Sequence, residues 1–195
     1  MLRMGCVIMA AGAAARFGGD KLAARVGGRS LLERALDAVP PGLFAAVAVV
    51  SARPEAAVLA AARGFRLVAN DRPQDGVSRT IRLGLDALGE CDGALFLVAD
   101  QPFLTRETVS RLAARWQEEP GAIVAAAHGG RRGNPCLFPR DCFPELRRLA
   151  GDRGGGAVIR AHPERLRLVE VPARELEDID TPQALADLGG EGKLD

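Results

Sequence analysis

The chain has 195 residues, is 48% hydrophobic and 26% charged, and carries a formal net charge of +1. That length suits one domain with a single sizeable core, expected over residues 1–188 with a frayed tail at 189–195. The near-neutral charge gives no electrostatic case for nucleic acid as the main partner. No apolar run approaches the roughly 20 residues of a membrane span, and Arg3 and Arg16 interrupt the apolar N-terminus, so a cytoplasmic protein is expected.

In chain order, "GCVIMAA" reads as a buried strand and "SLLERALDAV" as a helix capped by Ser30. "LFAAVAVVS" follows as a strand, and "PEAAVLAAAR" as a helix with proline in its first turn and Gly64 after its end. "FRLVA" is a strand, "SRTIRLGLDAL" a helix and "GALFLVA" the most apolar strand. "TRETVSRLAARWQEE" places Val109, Leu112, Ala113 and Trp116 on one helical face, and "AIVAAA" closes the series.

Uncharged strands alternating with helices predict a mainly parallel sheet covered on both faces, a three-layer α/β/α sandwich. From about Gly129, "GGRRGNPCLFPRD", "GDRGGGAV" and "RLRLVEVPARELEDIDTP" hold more glycine, proline and charge, which predicts an irregular lobe beside the sheet. Cys6, Cys91, Cys136 and Cys142 form no C-x-x-C pair and no zinc-like cluster with the two histidines, so they are expected to be reduced, mostly structural thiols.

The first strand runs into "AAGAAARFGGDK", Ala10 to Lys21, at the end of the strand where such sheets bind ligands. It is not a Walker A loop, because Lys21 follows Asp20 and precedes Leu22, leaving no hydroxyl for magnesium. It is not a dinucleotide fingerprint either, since Gly12, Gly18 and Gly19 lack the G-x-G-x-x-G spacing. Two readings remain: a loop whose backbone N–H groups face an anion clamped by Arg16 and Lys21, or a small-residue turn with two solvated cations.

Ala10, Ala11, Gly12, Arg16, Gly18 and Lys21 resemble the loop signature of the nucleotidyltransferases that finish molybdenum cofactor, the MobA-like family. The resemblance continues in family order through "NDRPQDGVSRTIRLGL", "VADQPF", "GNPCLF", "GDRGGG" and "DIDTPQAL". The "AAG" loop and the "DQP" after the central strand resemble the cytidylyl branch, whereas guanylyl members usually read "AGG" and "DMP". The resemblance implies a Rossmann-like, GT-A-like nucleotidyltransferase fold. It also implies transfer of CMP from CTP to the phosphate of molybdopterin or molybdenum cofactor, with Mg²⁺ or Mn²⁺ and release of pyrophosphate.

Asp100 closes an apolar strand, where a carboxylate needs a partner such as a metal or a helix start; the resemblance makes it the principal metal ligand. Asp178 and Asp180 alternate along an extended segment and point the same way, with Asp180 favoured as the second ligand. By resemblance, Ala10, Ala11, Gly12, Arg16 and Lys21 hold the nucleotide's phosphates, and Arg16, Lys21 and Asp100 act on the reaction. Asn70, Gly76 and Ser78 are expected at the base or ribose, although Ser78 also reads as a helix cap.

Gly133, Pro135, Gly151, Asp152 and Arg153 are expected on the pterin side, with Arg131 and Arg132 as further cations. His128 and His162 have no expected role in catalysis, because an acceptor phosphate is already ionised near neutral pH. The chain departs from the family pattern at Ala14, where a serine is usual, and at Gly156, where an arginine is usual and Arg153 or Arg160 would substitute. Three other readings are a same-fold enzyme with another base or phosphate acceptor, a non-catalytic cofactor-delivery partner, and a nicotinamide-binding module. A transient molybdoenzyme or chaperone partner is compatible with the first two.

Overall fold

A computed structural model describes residues 2–12 and 21–190. In chain order, β1 (Met4–Ala10) leads to a short hairpin of β2 (Arg25–Val26) and β3 (Arg29–Ser30), then α1 (Leu31–Asp37) and β4 (Ala46–Ser51). Next come α2 (Ala56–Ala61), β5 (Arg66–Ala69), α3 (Val77–Leu88), β6 (Gly93–Val98), α4 (Arg106–Glu118) and β7 (Ile123–His128). The chain ends with β8 (Arg131–Pro139), α5 (Phe143–Arg148), α6 (Gly156–Ala161), β9 (Leu166–Glu170) and α7 (Pro182–Gly190).

Seven strands form one sheet in the order β5-β4-β1-β6-β8-β7-β9. Every neighbouring pair is parallel except the two made by β8, which runs antiparallel to β6 and β7. Side chains alternate across the strands into two cores. Cys6, Ile8, Leu95 and Leu97 pack with α1, α2 and α4, while Val7, Ala94 and Phe96 pack with α3, α5 and α6. These are the three expected layers.

Local signals explain the helix starts. Ser30 caps α1 by accepting from the Glu33 N–H while Glu33 reaches back to the Ser30 N–H, a complete capping box. Thr105 accepts from the Thr108 N–H at the start of α4. Gly84 lets α3 lie directly on β1, because a Cβ there would collide with the Val7 side chain.

The irregular lobe expected after Gly129 is not observed among the described residues. Those glycines and prolines interrupt a nine-residue strand, β8, that lies inside the sheet. Pro135 sits at an irregularity where pairing with β7 shifts and before pairing with β6 begins at Cys136, so neither ladder needs an N–H there. The β2–β3 hairpin was also not anticipated; Gly27 and Gly28 supply its turn with positive φ. All four cysteines are free and buried.

Candidate functional site

Chain order reverses around β1: the sheet grows one way through β4 and β5, then β6 returns to the other side of β1. A crevice opens beyond the carboxyl ends of strands at such a switch point. Its volume among the described residues is about 270 Å³, and its walls include Ala10, Ala11, Gly12, Lys21, Gly76, Asp100, Asp152 and Asp180.

Register brings the two chain segments together. Met9 of β1 pairs with Val98 of β6, so Ala11 and Asp100 emerge side by side from the sheet. The Asp100 carbonyl accepts from the Ile179 N–H at 3.0 Å, tethering the 178–180 segment against it. A second tether comes from Glu175, which accepts from both the backbone N–H and the hydroxyl of Thr105 at 3.0 Å. Gln101 adds a bond from its amide to the Leu176 carbonyl.

Lys21 joins the two carboxylates. Its Nζ donates to Asp100 Oδ2 and to Asp180 Oδ1, both at 2.9 Å, with the lysine side chain only 11% exposed. Burial opposes the charged ammonium, yet hydrogen bonds to Asp180 and Asp100 and their negative charges outweigh it, raising the Lys21 pKa. Burial and the Asp100 charge raise the Asp178 carboxyl pKa, against a hydrogen bond from Gln101. Asp178 is exposed and, unlike Asp180, is not among the crevice walls, so of the two carboxylates expected to point the same way it is Asp180 that meets Lys21.

Two carboxylates converging on one cation suit magnesium or manganese, which take one or two carboxylates together with substrate phosphates and water. The ammonium of Lys21 already occupies the electrostatic position of such a cation. Among the described residues no group of three or more His, Cys, Asp or Glu side chains is arranged as a complete metal cage. Asp100 and Asp180 therefore fit a metal completed by substrate.

The other expected site residues separate into groups. Gly12 borders the crevice, while Arg16, Ala14 and Gly18 lie outside the described residues. Gly76, with φ +86°, and Asp152 line the same crevice, and a Cβ on Gly76 would collide with the Gly151 backbone. The Ser78 N–H donates to the Gly151 carbonyl, so the two loops are locked together.

Asn70 and Ser78 do not present side chains to the crevice. Asn70 is 1% exposed; its Nδ2 donates to Thr80 Oγ1 and its Oδ1 accepts from the Arg72 N–H and Arg79 Nε. Asn70 builds the loop from inside, whereas Ser78 is buried within the first turn of α3, whose N-cap is Gly76, so the expected Ser78 cap is not formed. Gly133 faces Leu176, Pro135 is buried in β8, and Arg153 is exposed and not among the crevice walls. His128 Nδ1 lies 2.9 Å from the Val171 carbonyl and His162 Nε2 lies 2.8 Å from Glu145, so each is tied elsewhere in the fold.

Sequence reasoning did not anticipate the Lys21 bridge or the Glu175 tether. The sequence marks Lys21 as a phosphate clamp that acts on the reaction, or as a solvated cation, but not as a partner of two carboxylates, and nothing in "ARELEDID" marks Glu175 as the partner of a threonine 70 residues earlier.

The MobA-like NTP transferase domain matches residues 6–166. The chain belongs to this family. Nicotine blue oxidoreductase from Paenarthrobacter nicotinovorans is 29% identical over 92% of this chain and 93% of its own length. Phosphoenolpyruvate guanylyltransferase from Sphaerobacter thermophilus is 33% identical over 88% and 86%. A probable molybdenum cofactor guanylyltransferase from Chloroflexus aggregans is 27% identical over 94% and 92%.

Among solved structures, a nucleotidyl transferase from Methanothermobacter thermautotrophicus has a TM-score of 0.81 at 20% identity, covering 97% of both chains. Rv0371c from Mycobacterium tuberculosis in complex with manganese has a TM-score of 0.76 at 22% identity, covering 95% and 97%. The MobA-like protein thus has the Rossmann-like fold of the nucleotidyltransferases and is a nucleotidyltransferase of that family. None of its described helices is long and apolar enough to cross a membrane.

Proposed function

We propose that this MobA-like protein transfers CMP from CTP to the phosphate of molybdenum cofactor, releasing pyrophosphate. The observation that carries the transfer chemistry is the convergence of Asp100, Asp180 and Lys21 at the carboxyl ends of β1 and β6. An acceptor phosphate oxygen bonds to the α-phosphorus while the bond from that phosphorus to the β-phosphate oxygen breaks. No side chain needs to remove a proton, because the attacking phosphate is largely ionised near neutral pH.

Asp100 and Asp180 would hold a divalent cation, which would neutralise and orient the triphosphate when bound. Lys21, freed from the carboxylates, has the charge to stabilise the negative oxygens of the reacting phosphate. Ala11 and Gly12 line the same space, where backbone N–H groups would suit phosphate oxygens. Manganese in the Mycobacterium tuberculosis neighbour is consistent with a cation here.

CTP is favoured by Ala11 and Gln101, which stand where the resemblance separates cytidylyl from guanylyl members. Gln101 is buried and bonded to the Leu176 carbonyl, so its influence on the base is through the shape of the 100–103 turn. The second reading is guanylyl transfer, favoured by the names of two relatives. A redox reading, suggested by the oxidoreductase relative, has less support because the first loop lacks dinucleotide glycine spacing.

Pyrophosphate release from CTP or GTP with molybdenum cofactor as acceptor tests this reading. Release with CTP and Mg²⁺, reduced by roughly 10²-fold or more in Asp100→Ala, is expected. Faster release with GTP would select guanylyl transfer, and full turnover by the Asp100 variant would refute the assigned chemistry.

A further inference from the structure

Glu175 is a carboxylate that the fold buries without pairing it to a cation among the described residues. It is 8% exposed, and its Oε2 takes two hydrogen bonds from Thr105, one from the backbone N–H and one from the hydroxyl. A charge is expensive to bury, and apolar packing could join the same two segments without that cost. The start of α4 offsets part of it. Thr105 is the N-cap of α4, its hydroxyl accepting from the Thr108 N–H while donating to Glu175, so the carboxylate lies at the positive end of the helix.

The surroundings show what this bond restrains. Val171 and Ile179 are each 3% exposed, and across residues 172–178 between them Glu175 alone is buried. The segment that delivers Asp180 therefore crosses the surface with a polar anchor in its middle. Further ties run inward from that anchor: the Gln101 amide donates to the Leu176 carbonyl at 3.3 Å, and the Ile179 N–H donates to the Asp100 carbonyl at 3.0 Å. The Arg174 guanidinium lies 4.1 Å from the centre of the Phe103 ring. Residues 100–105 and 174–180 thus run against each other as one strap, with Asp100 and Asp180 at its inner end and Glu175 at its outer end.

We propose that Glu175 is a positioning residue for the cation site, holding the 176–180 segment in the register that sets Asp180 opposite Asp100. Magnesium tolerates little displacement of its ligands, and the groups that orient those ligands govern affinity. The cation role rests on the nucleotidyl-transfer reading, while the mechanical role rests on the strap alone.

Variants of the full chain separate this role from helix capping. Glu175→Ala removes the strap and leaves Thr105 to cap α4. Thr105→Asp keeps a preferred N-cap but replaces the hydroxyl donor with a like charge facing Glu175. Glu175→Gln added to Thr105→Asp supplies an amide N–H for the new carboxylate and keeps an oxygen for the backbone N–H. Two quantities are read for each: hydrogen exchange of the Ile179 amide, and calorimetric binding of CTP and of GTP across a range of Mn²⁺ concentrations.

Both single variants are expected to exchange Ile179 faster and to need about tenfold or more Mn²⁺ for half-maximal nucleotide binding. Affinity at saturating Mn²⁺ is expected to stay as in wild type, and the double variant to recover both quantities. Unchanged Ile179 exchange, an unchanged Mn²⁺ requirement, or no recovery in the double variant would overturn the proposal. So would an equal loss of affinity at limiting and saturating Mn²⁺, which marks general loss of structure. Each of these results in a wild type that binds nucleotide leaves the transfer reading standing. A wild type that binds neither nucleotide at any Mn²⁺ concentration overturns that reading, and the cation role of Glu175 with it.

Discussion

Lys21 bridges two carboxylates that would otherwise repel each other across the crevice. Lys21→Met is expected to destabilise the metal-free protein by about 1–2 kcal/mol, because it leaves Asp100 and Asp180 close and uncompensated. Magnesium should then raise the melting temperature of the variant more than that of wild type. Thermal unfolding with chelator and with Mg²⁺ reads this directly, and equal shifts in the two proteins would contradict the assignment of these carboxylates to a cation. Lys21 and Asp100 were legible in the sequence because one ends a loop of small residues and the other closes an apolar strand. Their mutual contact spans 79 residues and was not legible, since no local pattern encodes it.

The elements give predictions that do not depend on the reaction. Ser30→Ala removes the α1 cap and is expected to cost about 1 kcal/mol in chemical denaturation. The partner Glu33 has its pKa lowered, first by its bond from the Ser30 N–H. A lowered folded pKa means that its stabilisation is present above the ordinary carboxylate value and is lost as pH falls through the lowered one. Glu33→Ala should therefore cost stability at pH 7 and progressively less in acid, as denaturation at several pH values would show. Gly84→Ala gains helix propensity yet forces a methyl group into Val7, so a net loss of about 1–3 kcal/mol is expected, relieved in part by Val7→Ala.

These helices and the parallel strands were readable because caps, period and apolar runs are local. Strand β8 was not, because Gly133 and Pro135 carry the composition of a loop while their neighbours Cys136, Leu137 and Phe138 pack in the sheet. Asn70 shows the same limit from the other side. A polar residue in a loop motif reads as a ligand contact until the partners Thr80 and Arg79 are seen to consume it.

At the scale of the molecule, the strand order places the β1 and β6 termini at one switch point, and the Ile179 and Glu175 tethers bring the distant 178–180 segment to them. The account depends on this assembly binding nucleotide through a divalent cation. Calorimetric titration with CTP, GTP, ATP and UTP, each with and without Mg²⁺, tests that claim most directly. Binding that requires Mg²⁺, is tightest for CTP and is lost in Asp100→Asn is the predicted result. Failure of every nucleotide to bind in the presence of Mg²⁺, or binding indifferent to both the metal and Asp100, would contradict it.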